Sequence, residues 1–163
     1  MSETRYYLEM NSADKLRPAR EPQEEAVEVK REEKPNPQLS RSLYKSVGEG
    51  WSWVDRLGWS DDTWTDYLSQ LEIETWILWA KGEPAGYFEL RFAPDKSAEI
   101  VYFGLRREFI GRGLGGHLLT EAVQCAFKAG ANRVWLHTSS RDHAQALANY
   151  KARGFLIFKT EQL

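Results

Sequence analysis

Cysteine is almost missing from this sequence of 163 residues, in which Cys125 is the only thiol. A single cysteine has no partner in the chain for a disulfide, and without further cysteines the common zinc clusters and redox motifs are excluded. An unpaired thiol is typical of proteins in a reducing compartment. We therefore expect a cytoplasmic protein that folds without disulfides or a metal ion, and we interpret Cys125 as a packing residue.

Long apolar runs and an excess of one charge are missing as well. No stretch approaches the roughly 20 apolar residues that cross a bilayer, and the N-terminus lacks a basic segment followed by an apolar one. The 22 Lys and Arg residues are balanced by 24 Asp and Glu residues, which leaves a net charge of −2. Without a strong positive field the chain is not expected to bind nucleic acid or an anionic membrane, so an anionic ligand requires a local site.

The size and composition are those of one domain. With 42% hydrophobic residues, a chain of this length can bury a single core. Tyr6, Leu8 and Met10 alternate with polar residues as in a short strand, and the following residues, rich in Pro, Arg and Glu, are expected to be partly mobile. We predict a single domain over residues 1–163 with a variable segment at about 1–25.

A short strand and two helices are predicted next. The strand contains Val27 and Val29. The first helix ends at Gly48, and its apolar positions recur every four residues at Leu39, Leu43 and Val47. The second helix follows Asp61, with Ser60 or Asp61 as its N-cap. Its apolar face is predicted to contain Trp64, Leu68 and Leu71.

The remaining sequence predicts an α/β fold with a mixed sheet. Three apolar runs with short connections predict an antiparallel meander, and they read TWILWA, AGYFELRF and AEIVYFGL. A helix over 115–128 and a strand over 133–138 follow, which predicts a right-handed crossover and therefore a parallel pair of strands over 98–105 and 133–138. A helix over 142–153 and a closing strand, FLIFKT, complete the chain.

A glycine-rich turn, GRGLGG at 111–116, lies between a predicted strand and a predicted helix. Glycines allow close approach of the backbone, and the amides and positive end of a helix N-terminus attract phosphate. The glycines also match the dinucleotide pattern GxGxxG, with Asp142 as a candidate ribose ligand. Five residues separate Leu105 from Gly111, whereas a dinucleotide turn follows its strand almost at once, so this alternative is less favoured.

The string EIVYFGLRREFIGRGLGGHLL, together with the later ANYKARGF, resembles the GNAT superfamily of acetyl-CoA-dependent N-acetyltransferases. The resemblance covers about residues 74–160. It implies a splayed pair of parallel strands and a turn whose amides hold the CoA pyrophosphate. Gly113 and Gly115 occupy the two glycine positions of the family turn, whereas Ile110 stands where the family has Arg or Gln, so Arg112 is expected to replace that contact in part.

The same resemblance implies the residues around the cosubstrate. Those expected to bind acetyl-CoA are Phe103, Gly104, Leu105, Ile110, Gly111, Arg112, Gly113, Leu114, Gly115, Gly116 and His143. His143 stands where the family often has Asn. Tyr150 occupies the position that often protonates the departing thiolate, and a phenol with a pKa near 10 can donate to a thiolate with a pKa of about 8.5. The alternative interpretation of Tyr150 is a core aromatic residue.

A base must remove a proton from the attacking amine. Glu99 is our first candidate, because strict alternation along a strand places it on one face with Val101, Phe103 and Leu105, beside the expected thioester. Glu89 on the preceding strand and His137 on the following one are the alternatives.

The acceptor side is expected in the tryptophan-rich region, with Trp51 and Trp53 as its best candidates. The sequence thus predicts direct acetyl transfer within a ternary complex to a primary amine, on a small molecule or a peptide. The runner-up interpretation is a non-catalytic acyl-CoA-binding module. A homodimer is a further implication of the resemblance.

Overall fold

The computed structural model describes residues 2–163, which form one mixed sheet with helices on both of its faces. The strands are β1 Thr4–Met10, β2 Val27–Arg31, β3 Ile73–Ala80, β4 Glu83–Phe92, β5 Ser97–Leu105, β6 Arg133–Ser139 and β7 Leu156–Gln162. The helices are α1 Pro37–Gly48, α2 Asp61–Leu68, α3 Leu114–Lys128 and α4 Ala146–Ala152. Short 3₁₀ turns lie at Ala13–Lys15 and Arg107–Phe109. None of the helices in this described part is long and apolar enough to cross a membrane.

The seven strands are ordered β2-β3-β4-β5-β6-β1-β7. Neighbouring strands are antiparallel except β5 and β6, which are parallel. The predicted α/β fold with a meander and a crossover is therefore confirmed. The position of β1 next to the edge of the sheet, between β6 and β7, was not predicted, because the sequence of a strand does not show which strands it pairs with.

The parallel pair separates after three residue pairs, of which Glu99 and Trp135 are the last. Beyond that point β5 stays bonded to β4 as far as Leu105, while β6 stays bonded to β1. A gap therefore opens between the carboxyl ends of β5 and β6, as the sequence resemblance implied.

The helix boundaries follow their capping residues, with two corrections to the predictions. Ser60 caps α2, since its hydroxyl accepts a hydrogen bond from the Thr63 amide at 3.1 Å. Leu71 lies beyond the end of α2 and is 97% exposed, so its prediction as part of the apolar face is wrong. The last helix begins at Ala146 rather than at residue 142, because the Asp142 carboxylate binds the Thr138 hydroxyl and the Ser139 amide and so holds a turn.

The two faces of the sheet carry different layers. The larger core lies between one face and α3 with α4, and includes Leu90, Ile100 and Leu118. On the opposite face α1 packs against β3 and β4 through a smaller cluster of Leu43, Val47, Ile77 and Tyr87. We call these the α3 face and the α1 face.

Candidate active site

The glycine turn leads directly into α3 and lies close to the end of β5, since a Cβ atom on Gly115 would lie 3.8 Å from Cδ1 of Leu105. Gly111 and Gly113 have φ angles of +86° and +76°, which side chains rarely tolerate. Gly113 is the N-cap of α3, and no side chain among residues 2–163 caps this helix end. The first turn of α3 also lacks an acidic residue. Its amides are therefore available to an anion, in a field that favours negative charge.

The next residues of the turn bring α3 close to α4. Leu114 is fully buried, and the Asn149 side-chain amide donates to the Gly115 carbonyl at 3.2 Å. A Cβ atom on Gly116 would lie 2.6 Å from Nη1 of Arg153 and 2.9 Å from Cβ of Ala19. A side chain at position 116 would therefore displace Arg153 and Ala19, so packing favours glycine here in addition to any role in binding.

The Arg112 side chain forms a salt bridge with Glu24. Its Nε donates to Glu24 Oε2 at 2.8 Å and its Nη2 donates to Glu24 Oε1, while its guanidinium lies 4.8 Å from the Phe109 ring centroid. The hydrogen bond from Arg112 lowers the pKa of Glu24. A phosphate that reached Arg112 would therefore compete with the Glu24 carboxylate. Ile110 has an extended backbone just before the turn.

The last residues of β5, Phe103 to Leu105, border the gap. The ring of Phe103 meets that of Tyr150 edge to face at a centroid distance of 6.0 Å, which links the strand to α4. Tyr150 is 6% exposed and belongs to the larger core. Burial, assisted by the charge of Asp142, raises the pKa of Tyr150, and no hydrogen bond within residues 2–163 contributes to that shift. The position of Tyr150 is thus compatible with both interpretations, a core aromatic residue and a donor to the departing thiolate.

Glu99 does not share a face with Phe103 and Leu105, and this part of the prediction is wrong. In the pairing of β4 with β5, Glu89 lies opposite Tyr102 but Leu90 lies opposite Ile100, so Val101 is an extra, bulged residue. A bulge reverses the alternation that follows it. Glu99 therefore lies on the α1 face, whereas Phe103 and Leu105 pack against the α3 core.

The bulge leaves Glu99 at the point where β5 and β6 separate. Its side chain is 7% exposed and accepts a hydrogen bond from Nη2 of Arg91, which lies opposite on β4. A carboxylate in this position faces the α1 side of the gap. It can accept a proton from a group entering there.

The two alternative bases differ in availability. Glu89 is 2% exposed and both of its carboxylate oxygens are bound by Arg56, at 2.7 and 2.9 Å. His137 is exposed on β6, and the Tyr7 ring lies 5.6 Å from its imidazole. Partial burial lowers the pKa of His137, whereas the nearby negative charge of Glu99 acts to raise it. His137 is thus the more accessible of the two.

The loop of residues 49–60, between α1 and α2, reaches across the α1 face towards α4. The Trp51 ring meets His143 at 5.1 Å, and the Trp53 ring lies 4.8 Å from Tyr102. The imidazole Nδ1 of His143 accepts a hydrogen bond from the Gln145 amide at 3.0 Å, so that nitrogen is occupied. Sequence reasoning missed Arg56 in this loop, because nothing local indicates that a surface-type residue becomes buried against a strand far along the chain.

Comparisons with known proteins agree with this geometry. The sequence profile described as the acetyltransferase (GNAT) family matches residues 40–155. A mycothiol acetyltransferase of Corynebacterium efficiens is 28% identical over 117 residues, which cover 69% of this chain but only 39% of that relative.

Two solved structures share the fold. A GCN5-related N-acetyltransferase from Sphaerobacter thermophilus superposes with a TM-score of 0.68 at 18% identity, over 98% of this chain and 50% of that one. An aminoglycoside acetyltransferase from an uncultured soil metagenomic sample, in complex with sisomicin, gives a TM-score of 0.64 at 14% identity, over 78% of this chain and 85% of that one. Since the family profile covers well over half of the sequence, this chain belongs to the acetyltransferase (GNAT) family.

Proposed function

We propose that this chain transfers an acetyl group from acetyl-CoA to a primary amine by direct attack in a ternary complex. The observation that carries the proposal is the gap between β5 and β6, with the uncapped N-terminus of α3 at one side and Tyr150 against Phe103. Family membership supports acyl transfer in general. We place this activity in the cytoplasm, because the single free cysteine fits a reducing compartment.

The donor would bind along the end of β5. The amides of the turn at Gly113 would hold the pyrophosphate, and the free edge of β5 would pair with the amide-like pantetheine arm. This assignment needs few side chains, which is consistent with the loss of the usual Arg or Gln at Ile110. Arg112 would contribute after it exchanges Glu24 for phosphate.

The acceptor would enter from the α1 face. The amine nitrogen forms a bond to the carbonyl carbon as the carbon–sulfur bond breaks, and its proton passes to Glu99 directly or through water. The departing thiolate would meet the hydroxyl of Tyr150. Because burial raises the pKa of Tyr150, complete proton transfer to a thiolate is less favourable than from an ordinary phenol, so we assign Tyr150 mainly to stabilising the anion by hydrogen bonding.

The first experiment is parallel calorimetric titration with acetyl-CoA, CoA and NADH. Binding of the two CoA species without NADH supports the proposed donor site, and an amine screen that detects released thiol then tests transfer. The screen covers small amines, aminoglycosides, peptide N-termini and lysine. Binding of CoA without transfer to any of these would instead favour the non-catalytic acyl-CoA-binding module, and binding of NADH alone would refute the donor assignment.

A further inference from the structure

Arg56 lies inside a cage of aromatic rings and one carboxylate. Its guanidinium carbon is 4.4 to 5.5 Å from four ring centroids, those of Trp59, Trp64, Tyr67 and Tyr102. The carboxylate is that of Glu89, which accepts hydrogen bonds from both terminal nitrogens of Arg56. We call these four rings with Glu89 the cation cage. Aromatic faces and a carboxylate both attract a cation, and a planar guanidinium matches a carboxylate at two points.

The two charged groups of the cation cage are buried. Arg56 is 6% exposed and Glu89 is 2% exposed. The Tyr67 hydroxyl donates a further hydrogen bond to Glu89 Oε2, so the carboxylate is held from two elements. A buried charge is tolerated only with its partner, so removal of Arg56 leaves the Glu89 carboxylate without compensation.

Arg56 is also the anchor of the loop that carries it. Of residues 49–60, all described by the structure, only Arg56 is buried. Its backbone amide donates to the Tyr44 hydroxyl at 3.2 Å, while the flanking Val54 and Leu57 are 62% and 49% exposed. The loop has no helix or strand of its own, so side-chain contacts hold its path over the sheet: Arg56 in the cation cage and Trp53 against Tyr102.

That path places two aromatic rings at the acceptor side. Trp53 packs against Tyr102, which is itself a wall of the cation cage, and Trp51 reaches His143 before α4. A Cβ atom on Gly104 would lie 2.5 Å from Cγ1 of Val47 and 3.9 Å from Trp53, so the end of α1 and the loop rest directly on the end of β5. Arg56 and Trp53 thus share Tyr102 as a neighbour, which connects the cation cage to the surface proposed to meet the acceptor.

We propose that Arg56 is a positioning residue of the acceptor site: its capture by the cation cage holds residues 49–60, and with them Trp51 and Trp53, where the acceptor amine binds. This inference rests on the proposed function. Arg56 does not touch the reacting atoms. It acts as a tethered ligand, and the cation cage is a site for guanidinium-class cations whose occupant the chain supplies itself.

The test replaces the tethered cation with a free one. In Arg56→Ala we expect KM for the amine to rise at least about tenfold, a change of 1.4 kcal/mol, while kcat and the Kd for acetyl-CoA change little. Methylguanidinium at millimolar concentration should restore KM, whereas the neutral, similarly shaped methylurea should not. Hydrogen–deuterium exchange of residues 49–60 should rise in Arg56→Ala and fall again with methylguanidinium.

A second variant covers the case in which Arg56→Ala does not fold. Arg56→Ala/Glu89→Gln removes both charges, so no bare carboxylate remains buried; it should fold, show the raised KM and fast loop exchange, and ignore methylguanidinium. Unchanged amine KM and unchanged loop exchange in the folded variants overturn the proposal. If the native protein transfers no acetyl group to any amine, the proposed function fails, whereas loop exchange alone still decides whether Arg56 holds the loop.

Discussion

Replacing Gly113 with alanine separates the structural role of the glycine turn from its binding role. Gly113 has a φ angle of +76°, and a Cβ atom there would meet no atom of the described residues within 4 Å. The cost is therefore conformational and not steric. An L-residue in the left-handed region costs about 1–2 kcal/mol, which lowers the Tm of a domain of this size by about 2–8 °C.

The chain offers a matched control at the other end of the same helix. Gly130 follows α3 with a φ angle of +106°, and within the part of the chain that the structure describes its added Cβ atom would also meet nothing within 4 Å. Gly113→Ala and Gly130→Ala should therefore show similar losses in thermal melting. Only Gly113→Ala should affect the donor, because only that turn aims amides at the proposed pyrophosphate position.

The expected loss of binding follows from a single displaced amide. A hydrogen bond to a charged group contributes about 1.5–3 kcal/mol, so loss of one weakens acetyl-CoA binding about 10- to 100-fold. Calorimetric titration of both variants below their melting temperatures measures this directly. Native affinity in Gly113→Ala, or an equal loss in Gly130→Ala, would refute the assignment of phosphate to this turn.

Three further predictions concern side chains. Glu99→Gln should lower kcat for amine acetylation about 100-fold, with the Kd for acetyl-CoA unchanged, because general-base catalysis contributes about 10²–10⁴ in rate; full activity in a thiol-release assay excludes Glu99 as the base. Tyr150→Phe should lower kcat at least about tenfold by removing a hydrogen bond to the thiolate. Since burial raises the pKa of Tyr150 above its ordinary value of 10, the native enzyme should show no alkaline loss of kcat from this group up to pH 10; a decline that disappears in Tyr150→Phe contradicts this. Burial raises the pKa of Cys125 to about 12, so at pH 8 only about one molecule in 10⁴ carries the thiolate. Iodoacetamide should therefore label Cys125 far more slowly than free cysteine, and Cys125→Ala should keep full turnover. Rapid labelling with loss of turnover would indicate a catalytic thiol.

Much of the fold was predictable because its signals are local. The antiparallel meander, the α3 helix and the crossover follow from apolar spacing and from the short connections. The Lys81-Gly82 turn has φ angles of +52° and +82°, the conformation that favours a tight hairpin between β3 and β4. The glycine turn was predictable for the same reason, since positive φ angles favour glycine and the glycines directly precede the apolar spacing of a helix.

The candidate site was predictable only in part. Gly113, Phe103 and Tyr150 lie around the gap, but Glu99 lies on the other face from the one that strict alternation predicts. The bulge at Val101 leaves no sequence signal, because an extra residue in one strand is defined only by its pairing with β4. The prediction that Glu99 acts as the base remains untested, although its position at the end of the parallel pairing is compatible with it.

The sequence by itself determined the family, the order of the elements and the turn proposed to bind phosphate, since each depends on residues that are neighbours along the chain. Only the tertiary structure decided that β1 lies between β6 and β7, that Glu24 binds Arg112, and that Arg56 is buried against Glu89. The last two contacts join residues 88 and 33 positions apart. Such contacts form because folding brings opposite charges together, at the surface for Glu24 and Arg112 and away from water for Arg56 and Glu89, and no local pattern encodes that proximity.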